Sequence, residues 1–190
     1  MAITLPRKPP IVRVPVSQSL WRVHQSHLGA IWYGPGPKAV GRFDDPALGF
    51  GTLYLGATPG VAVLETLVRG ASRCVVEQKE WNARSICRVR LAERLEMLQF
   101  EGARLPEFGI GAERAHAGVY DECQEFSAAV HAKWPKIDGL QYRSRWDPSQ
   151  LCWVVFDRAA HKVSAADPSE PLAGSRTGDE VLDTYPIRVV

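Results

Sequence analysis

Three polar residues, each set beside apolar or glycine-rich sequence, offer this chain its best prospect of chemistry: Arg42, Glu65 and Ser144. Glu65 stands four positions after Val61 and one after Leu64, at the border of an apolar stripe. A carboxylate there carries a desolvation cost unless it is paired or functional. The simpler local reading is an ion pair with Arg69, four residues on and in the favourable orientation. Arg42 follows Gly41 in the segment Gly-Arg-Phe-Asp-Asp-Pro. Its planar fork suits a phosphate or carboxylate, although a bridge to Asp44 or Asp45 is the simpler reading on local grounds. Ser144 sits in Tyr-Arg-Ser-Arg-Trp. Its hydroxyl can bond a ligand, or it can close a turn, which is the simpler use.

Other candidates are fewer. His24 and His27 form an H-x-x-H pair, but on a strand that spacing turns the rings to opposite faces, so they read as structural or surface residues. The chain has no G-x-G-x-x-G, no P-loop and no H-E-x-x-H, which removes the common phosphate and zinc signatures. No G-x-S-x-G elbow accompanies Ser144, which argues against a hydrolase triad. The six tryptophans are scattered and form no evident stacking platform for nucleic acid.

The elements that must position these residues can be read from periodicity and punctuation. Residues 1–17 are rich in proline and read as an extended arm. Leu20–His24 reads as a short strand and Tyr33–Pro37 as a turn-rich loop. Thr52–Leu55, flanked by glycines, reads as a buried strand. Thr58–Arg69 is the clearest helix: Thr58 suits the N-cap, Pro59 the first helical position and Gly70 the stop. Val61, Leu64 and Val68 share one face of it. Ser85–Leu91 alternates and reads as a strand. Tyr120–Trp134 reads as a second long helix with Cys123, Phe126 and Val130 on one side. Leu140–Tyr142 and Leu151–Phe156 read as strands, Ser164–Glu180 as a loop, and Tyr185–Val190 as a short strand returning to the body. The mixture lacks strict β-α-β alternation, so the expected class is α+β: a compact mixed sheet with flanking helices.

Length and composition agree with one domain spanning 1–190. A chain of 190 residues can bury roughly 70% of the surface its unfolded form exposes, so it needs no staples. A net charge of +2 with no Lys/Arg run gives no reason to expect direct nucleic-acid binding. Cys74, Cys87, Cys123 and Cys152 contain no C-x-x-C pair, which suggests neither zinc nor a redox motif. The first ten residues lack the apolar core of a signal peptide, and no run approaches the ~20 apolar residues of a membrane span. The expectation is a cytoplasmic protein with reduced thiols.

Taken in order, several segments resemble one family. They are Leu-Trp-Arg-Val at Leu20–Val23, Gly-Arg-Phe-Asp-Asp-Pro at Gly41–Pro46, and Gly-Thr-Leu-Tyr-Leu-Gly-Ala-Thr-Pro-Gly-Val-Ala-Val-Leu-Glu-Thr at Gly51–Thr66. Asp-Gly-Leu-Gln-Tyr-Arg-Ser-Arg-Trp at Asp138–Trp146 and a hydrophobic strand ending in Phe156 follow. The order resembles the RES domain, named for an arginine, a glutamate and a serine, over about Leu20 to Asp157. The resemblance puts those three residues on Arg42, Glu65 and Ser144, with an earlier family arginine on Arg22 and a strand tyrosine on Tyr54. Two departures stand out: the family's usual Gly-Arg-Trp-Asn is Gly-Arg-Phe-Asp here, and its proline before the serine is Arg143.

The resemblance implies a fold like that of ADP-ribosyltransferase toxins and an enzyme that consumes NAD as substrate, without a metal. Cleaving the nicotinamide–ribose bond passes through an oxocarbenium-like state that a nearby glutamate stabilises. Nicotinamide leaves from a cationic ring, so no general acid is needed. The resemblance assigns Arg42, Glu65 and Ser144 to catalysis. It assigns Arg22, Arg42, Tyr54 and Ser144 to holding the dinucleotide, through arginine–pyrophosphate contacts, ring stacking and a serine hydrogen bond. It leaves the acceptor open: phosphate, making an NAD phosphorylase; water, making a glycohydrolase; or a protein side chain, making an ADP-ribosyltransferase. An NAD-binding relative without turnover is a further alternative, motivated by Asp44. A nuclease toxin is disfavoured by the modest charge. The implied partner is an Xre-type helix-turn-helix antitoxin in a hetero-oligomer.

Overall fold

The computed structural model describes residues 3–34, 36–68, 74–110 and 120–190. The centre of the molecule is the strand with the longest apolar run. Leu-Cys-Trp-Val-Val-Phe, at Leu151–Phe156 (β8), is buried on both faces apart from its first residue. A strand of that kind needs partners on both edges. It pairs antiparallel with Thr52–Gly56 (β3) on one side and with Gly139–Arg143 (β7) on the other. Beyond β7 lie Leu95–Phe100 (β6), in parallel, and then Ile11–Val14 (β1), antiparallel to β6. Beyond β3 lie Leu20–Gln25 (β2), Arg84–Leu91 (β5) and the short Glu170–Pro171 (β10), with Val163–Ala165 (β9) also pairing with β5.

Val14 of β1 shares one apolar cluster with Val89 and Leu91 of β5, near the opposite end of the strand order. Those ends meet only if the sheet curls, as strand twist allows. Leu20, Leu53, Leu55, Met97, Trp153 and Val155 fill the inside of the curl. The other face carries Phe100, Leu140, Tyr142, Val154 and Phe156. It is covered by Asp121–Lys133 (α3), the 3-10 segment Gly102–Phe108 and the loop holding Phe43 and Phe50. Phe100 packs on Phe126 and Phe108 at centroid separations of 4.7 and 5.9 Å. The class is therefore α+β, a mixed curled sheet with flanking helices.

Pro59–Leu67 (α1) begins where β3 ends. The Thr58 hydroxyl accepts from the Val61 N–H at 3.3 Å, and Pro59 occupies the first turn, where its missing N–H costs nothing. The arm expected over 1–17 contains β1, so part of it is a strand of the main sheet. The loop expected over Ser164–Glu180 contains β9, β10 and the start of Arg176–Thr184 (α4), capped by Ser175. Arg188–Val189 (β11) does return to the body. It pairs in parallel with Val75–Val76 (β4), outside the main sheet, beside the short helix Gln78–Asn82 (α2). All four cysteines are free, and three are buried.

The site depends on a break in this sheet. β2 and β3 pair at a single register position, Trp21 with Gly56. From there β2 continues against β5 and β3 against β8, so the two edges part. The segment between β2 and β3 fills part of the opening: the Thr52 N–H donates to the Tyr33 carbonyl at 2.8 Å.

Candidate active site

Glu65 lies in the last turns of α1, and Ser144 begins the connection from β7 to β8. Across 79 residues of sequence the Ser144 hydroxyl donates to Glu65 Oε1 at 2.7 Å, and the Arg145 backbone N–H donates to the same oxygen at 3.0 Å. Arg42 Nη2 lies 3.5 Å from Glu65 Oε2. The three residues singled out in the sequence thus meet around one carboxylate. Two of the local alternatives are resolved. Arg42 pairs with Glu65 rather than with Asp44 or Asp45, and Ser144 closes its turn and contacts Glu65 at once. Its oxygen accepts the N–H groups of Trp146 and Asp147, both at 3.1 Å. Arg69 lies outside the described residues.

Arg42 is held by aromatic faces. Its guanidinium carbon is 5.3 Å from the Tyr142 ring centroid, 5.8 Å from that of Phe43 and 6.0 Å from that of Tyr120. Burial opposes its charge most, but Tyr142, Glu65, Tyr120 and Cys123 together outweigh burial and raise its pKa. Burial, with Cys152 and Glu65, pushes the Tyr142 phenol well above its ordinary value against the pull of Arg42, so Tyr142 is a neutral ring there. Tyr142 and Tyr120 were not assigned from sequence. Tyr142 had a usable signal, standing two places before Ser144 on the same strand; Tyr120 had none.

Asp44 has a different role from the one its position next to Arg42 suggests. One oxygen accepts from the N–H groups of Val40 and Gly41 at 3.0 and 2.6 Å. The other accepts from the hydroxyls of Thr52 and Tyr54 at 2.7 and 2.9 Å. Tyr54 in turn accepts the Phe43 N–H at 2.8 Å. Asp44 is therefore the knot that shapes the Arg42 loop. A Cβ on Gly41 would run into the Tyr54 hydroxyl and the Asp44 carboxylate, so only glycine fits there. Asp45 is spent on the N–H groups of Ala47 and Gly49.

Where β2 and β3 part, a cleft of about 730 Å³ opens, a volume typical of small-molecule sites. Arg22, Tyr33, Thr52 and Tyr54 wall it, together with Gly41 and Thr66, the immediate neighbours of Arg42 and Glu65. The side chains of Arg42, Glu65 and Ser144 lie off this wall. Arg22 and Tyr54 are therefore brought together in the cleft, and the three-residue cluster stands beside it. Arg22 spans the opening: Nη1 donates to the Tyr54 carbonyl at 3.2 Å and Nη2 to the Trp32 carbonyl at 3.1 Å. No carboxylate of the described residues pairs with it, and burial draws its pKa down to about 10. Arg22 Nε and the Tyr33 hydroxyl are buried without a hydrogen-bond partner among the described residues. Such groups in a cleft wall are suited to a polar ligand. His24 has its ring nitrogens 2.9 Å from the Gln25 carbonyl and 2.8 Å from the Ser169 hydroxyl, and both it and His27 line the cleft, where the H-x-x-H spacing suggested opposite faces.

Among the described residues no group of three His, Cys, Asp or Glu side chains could hold a metal ion, and no helix is long and apolar enough to cross a membrane. No curated protein matches the chain. Among solved structures it is similar to a chain of the M. tuberculosis MbcT–MbcA toxin–antitoxin complex, with a TM-score of 0.69 over 88% of this chain and 90% of that one. At 16% identity the likeness is one of fold. The family model described as RES domain matches residues 19–174, which hold Arg22, Arg42, Tyr54, Glu65 and Ser144. On that match the chain belongs to the RES domain family.

Proposed function

We propose that this protein consumes NAD by cleaving the bond between nicotinamide and ribose, and that it is the toxin of a bacterial toxin–antitoxin pair acting in the cytoplasm. One observation carries the enzymatic part. A carboxylate oriented by a guanidinium, a serine hydroxyl and a backbone N–H stands beside a dinucleotide-sized cleft whose wall holds a buried arginine without an acidic partner. In this reading Arg22 meets the pyrophosphate from the cleft wall, and Tyr54 offers its ring edge to the bound dinucleotide. The anion of Glu65 faces the positive charge that develops at the ribose as the bond lengthens. Arg42 and Ser144 fix the carboxylate so that it need not reorganise when that charge appears. The departing electron pair neutralises the nicotinamide ring, so no protein acid is required.

The acceptor in this reading is phosphate or water. The fold shared with a chain of a toxin–antitoxin complex supports the biological part, with an Xre-type helix-turn-helix protein as the neutralising partner. The test is nicotinamide release from NAD by the purified protein, with and without inorganic phosphate, compared with Glu65→Gln. Expected is turnover by the wild type and a loss of about 100-fold or more in the variant, the scale of removing a preorganised electrostatic contact. Absence of release by the wild type under both conditions, or undiminished release by Glu65→Gln, removes the proposal.

A further inference from the structure

The connection from β7 to β8, residues 144–150, is long for a hairpin, and long connections carry more conformational freedom. Yet it must hold the Ser144 hydroxyl and the Arg145 N–H on one oxygen of Glu65. Its own hydrogen bonds close only parts of it. The Ser144 N–H donates to the Gln150 carbonyl at 3.1 Å, the Gln150 N–H to the Asp147 carbonyl at 2.9 Å, and the Asp147 carboxylate accepts from the Ser149 N–H at 3.2 Å and from its hydroxyl at 2.5 Å. From outside the loop, the Tyr185 hydroxyl donates to Asp147 Oδ2 at 3.1 Å, and the Pro148–Ser149 carbonyls on the far side are gripped by Arg143. Arg143 Nη1 donates to the Ser149 carbonyl at 2.8 Å and approaches that of Pro148 at 3.4 Å. Its Nε donates to Glu101 Oε2 at 2.7 Å.

Glu101 makes this grip firm. It is 7% exposed and stands just past the end of β6. Its other oxygen accepts from Gln141 Nε2 at 2.5 Å, and Gln141 Oε1 accepts the indole N–H of the buried Trp153 at 2.9 Å. A continuous polar chain thus runs from the core through Glu101 and Arg143 to the carbonyls of the loop. Arg143 is 41% exposed at its side chain, but its anchor is buried, and a guanidinium alone has the planar fork to bond both ends at once.

We infer that Arg143, clamped by Glu101, is a positioning residue that sets the Ser144 loop on Glu65. The inference deepens the proposed function and rests on it only for its kinetic consequence. Arg143 touches neither Glu65 nor the cleft, so it acts through the loop.

The experiment compares wild type with Arg143→Met, which keeps the stem and loses the fork, and with Arg143→Lys, which reaches one partner at a time. Two quantities are read: hydrogen exchange at the amides of Trp146 and Asp147, and kcat and KM for nicotinamide release from NAD. Arg143→Met is expected to speed exchange at both amides and to lower kcat about tenfold with KM within about twofold, as for a misplaced catalytic group. Arg143→Lys is expected to fall between. Unchanged exchange at both amides in Arg143→Met overturns the clamp, whatever the kinetics. So does faster exchange with unchanged kcat in an active wild type, because the loop then has no bearing on turnover. If the wild type releases no nicotinamide, the proposed function fails alone, and exchange still decides the clamp.

Discussion

Replacing Ser144 by alanine removes three hydrogen bonds at a point with no solvent exposure. The bond to Glu65, at 2.7 Å, is to a carboxylate and contributes roughly 1.5–3 kcal/mol. The two bonds accepted from Trp146 and Asp147 contribute about 1 kcal/mol each, and no water can reach Oγ to replace them. Glu65 keeps the Arg145 N–H and the Arg42 guanidinium, which absorbs part of the loss. The expected destabilisation is therefore about 3 kcal/mol, a little below the summed range of about 3.5–5 kcal/mol. For a domain of this size that lowers the melting temperature by about 6–12 °C. Thermal unfolding followed by circular dichroism measures it. A double-mutant cycle with Glu65→Gln should return a coupling of about 1–2 kcal/mol, because the two side chains touch. A Ser144→Ala protein melting within about 2 °C of the wild type would show that the hydroxyl neither braces the loop nor holds Glu65.

Asp44 provides a graded comparison. Asp44→Ala strands two backbone N–H groups and should cost about 2–4 kcal/mol in urea unfolding, whereas Asp44→Asn should cost about 1 kcal/mol. The asparagine can keep its oxygen on Val40 and Gly41 and turn its amide toward two hydroxyls able to accept; equal losses in the two variants would contradict this. His131 gives a pH prediction. It stacks on Phe50 at 3.8 Å, and burial first, then Arg158, draws its pKa below 6.5. The unfolded chain therefore binds a proton more readily than the folded one. The contribution is complete above about pH 6.5 and is lost as pH falls through the lower folded value. His131→Phe keeps the stack and should flatten the stability profile as pH falls below about 6.5, the ordinary imidazole value; an unaltered profile would refute the assignment.

What the sequence disclosed followed the range of the forces involved. The Thr58–Pro59 helix start and the strand Leu151–Phe156 depend on neighbouring residues, and both were legible. The start of the helix Arg176–Thr184, up to Glu180, was read as loop because its glycine and polar residues outnumber its apolar ones; the cap at Ser175 and the buried Val181 were the available signal. Ile11–Val14 was masked by its flanking prolines, and Leu95–Phe100 shows no clean alternation because buried residues appear on both of its faces. In the site, Glu65 stood out by its place on the helix, but its partners lie 23 residues before and 79 after it, beyond any local rule. Ordered motifs, not periodicity, brought the three together. Arg143 was visible as a departure from the family pattern, but its purpose depends on Glu101, 42 residues away.

The parting of β2 from β3 gives the molecule a seam with little backbone pairing across it. Beyond Trp21–Gly56 no strand pairing crosses it; Arg22 Nη1 reaches across to the Tyr54 carbonyl, and Nη2 holds the Trp32 carbonyl of the connecting segment. One side chain there does the work of missing strand pairing. The flanking halves, β2 with β5 and β3 with β8, stay joined through one buried apolar cluster that holds Leu20 and Val89 of the first and Leu53, Leu55 and Trp153 of the second. The opening is thus a gap in backbone pairing over a continuous core, and it leaves polar groups such as Arg22 and Thr52 facing the cleft rather than a neighbouring strand.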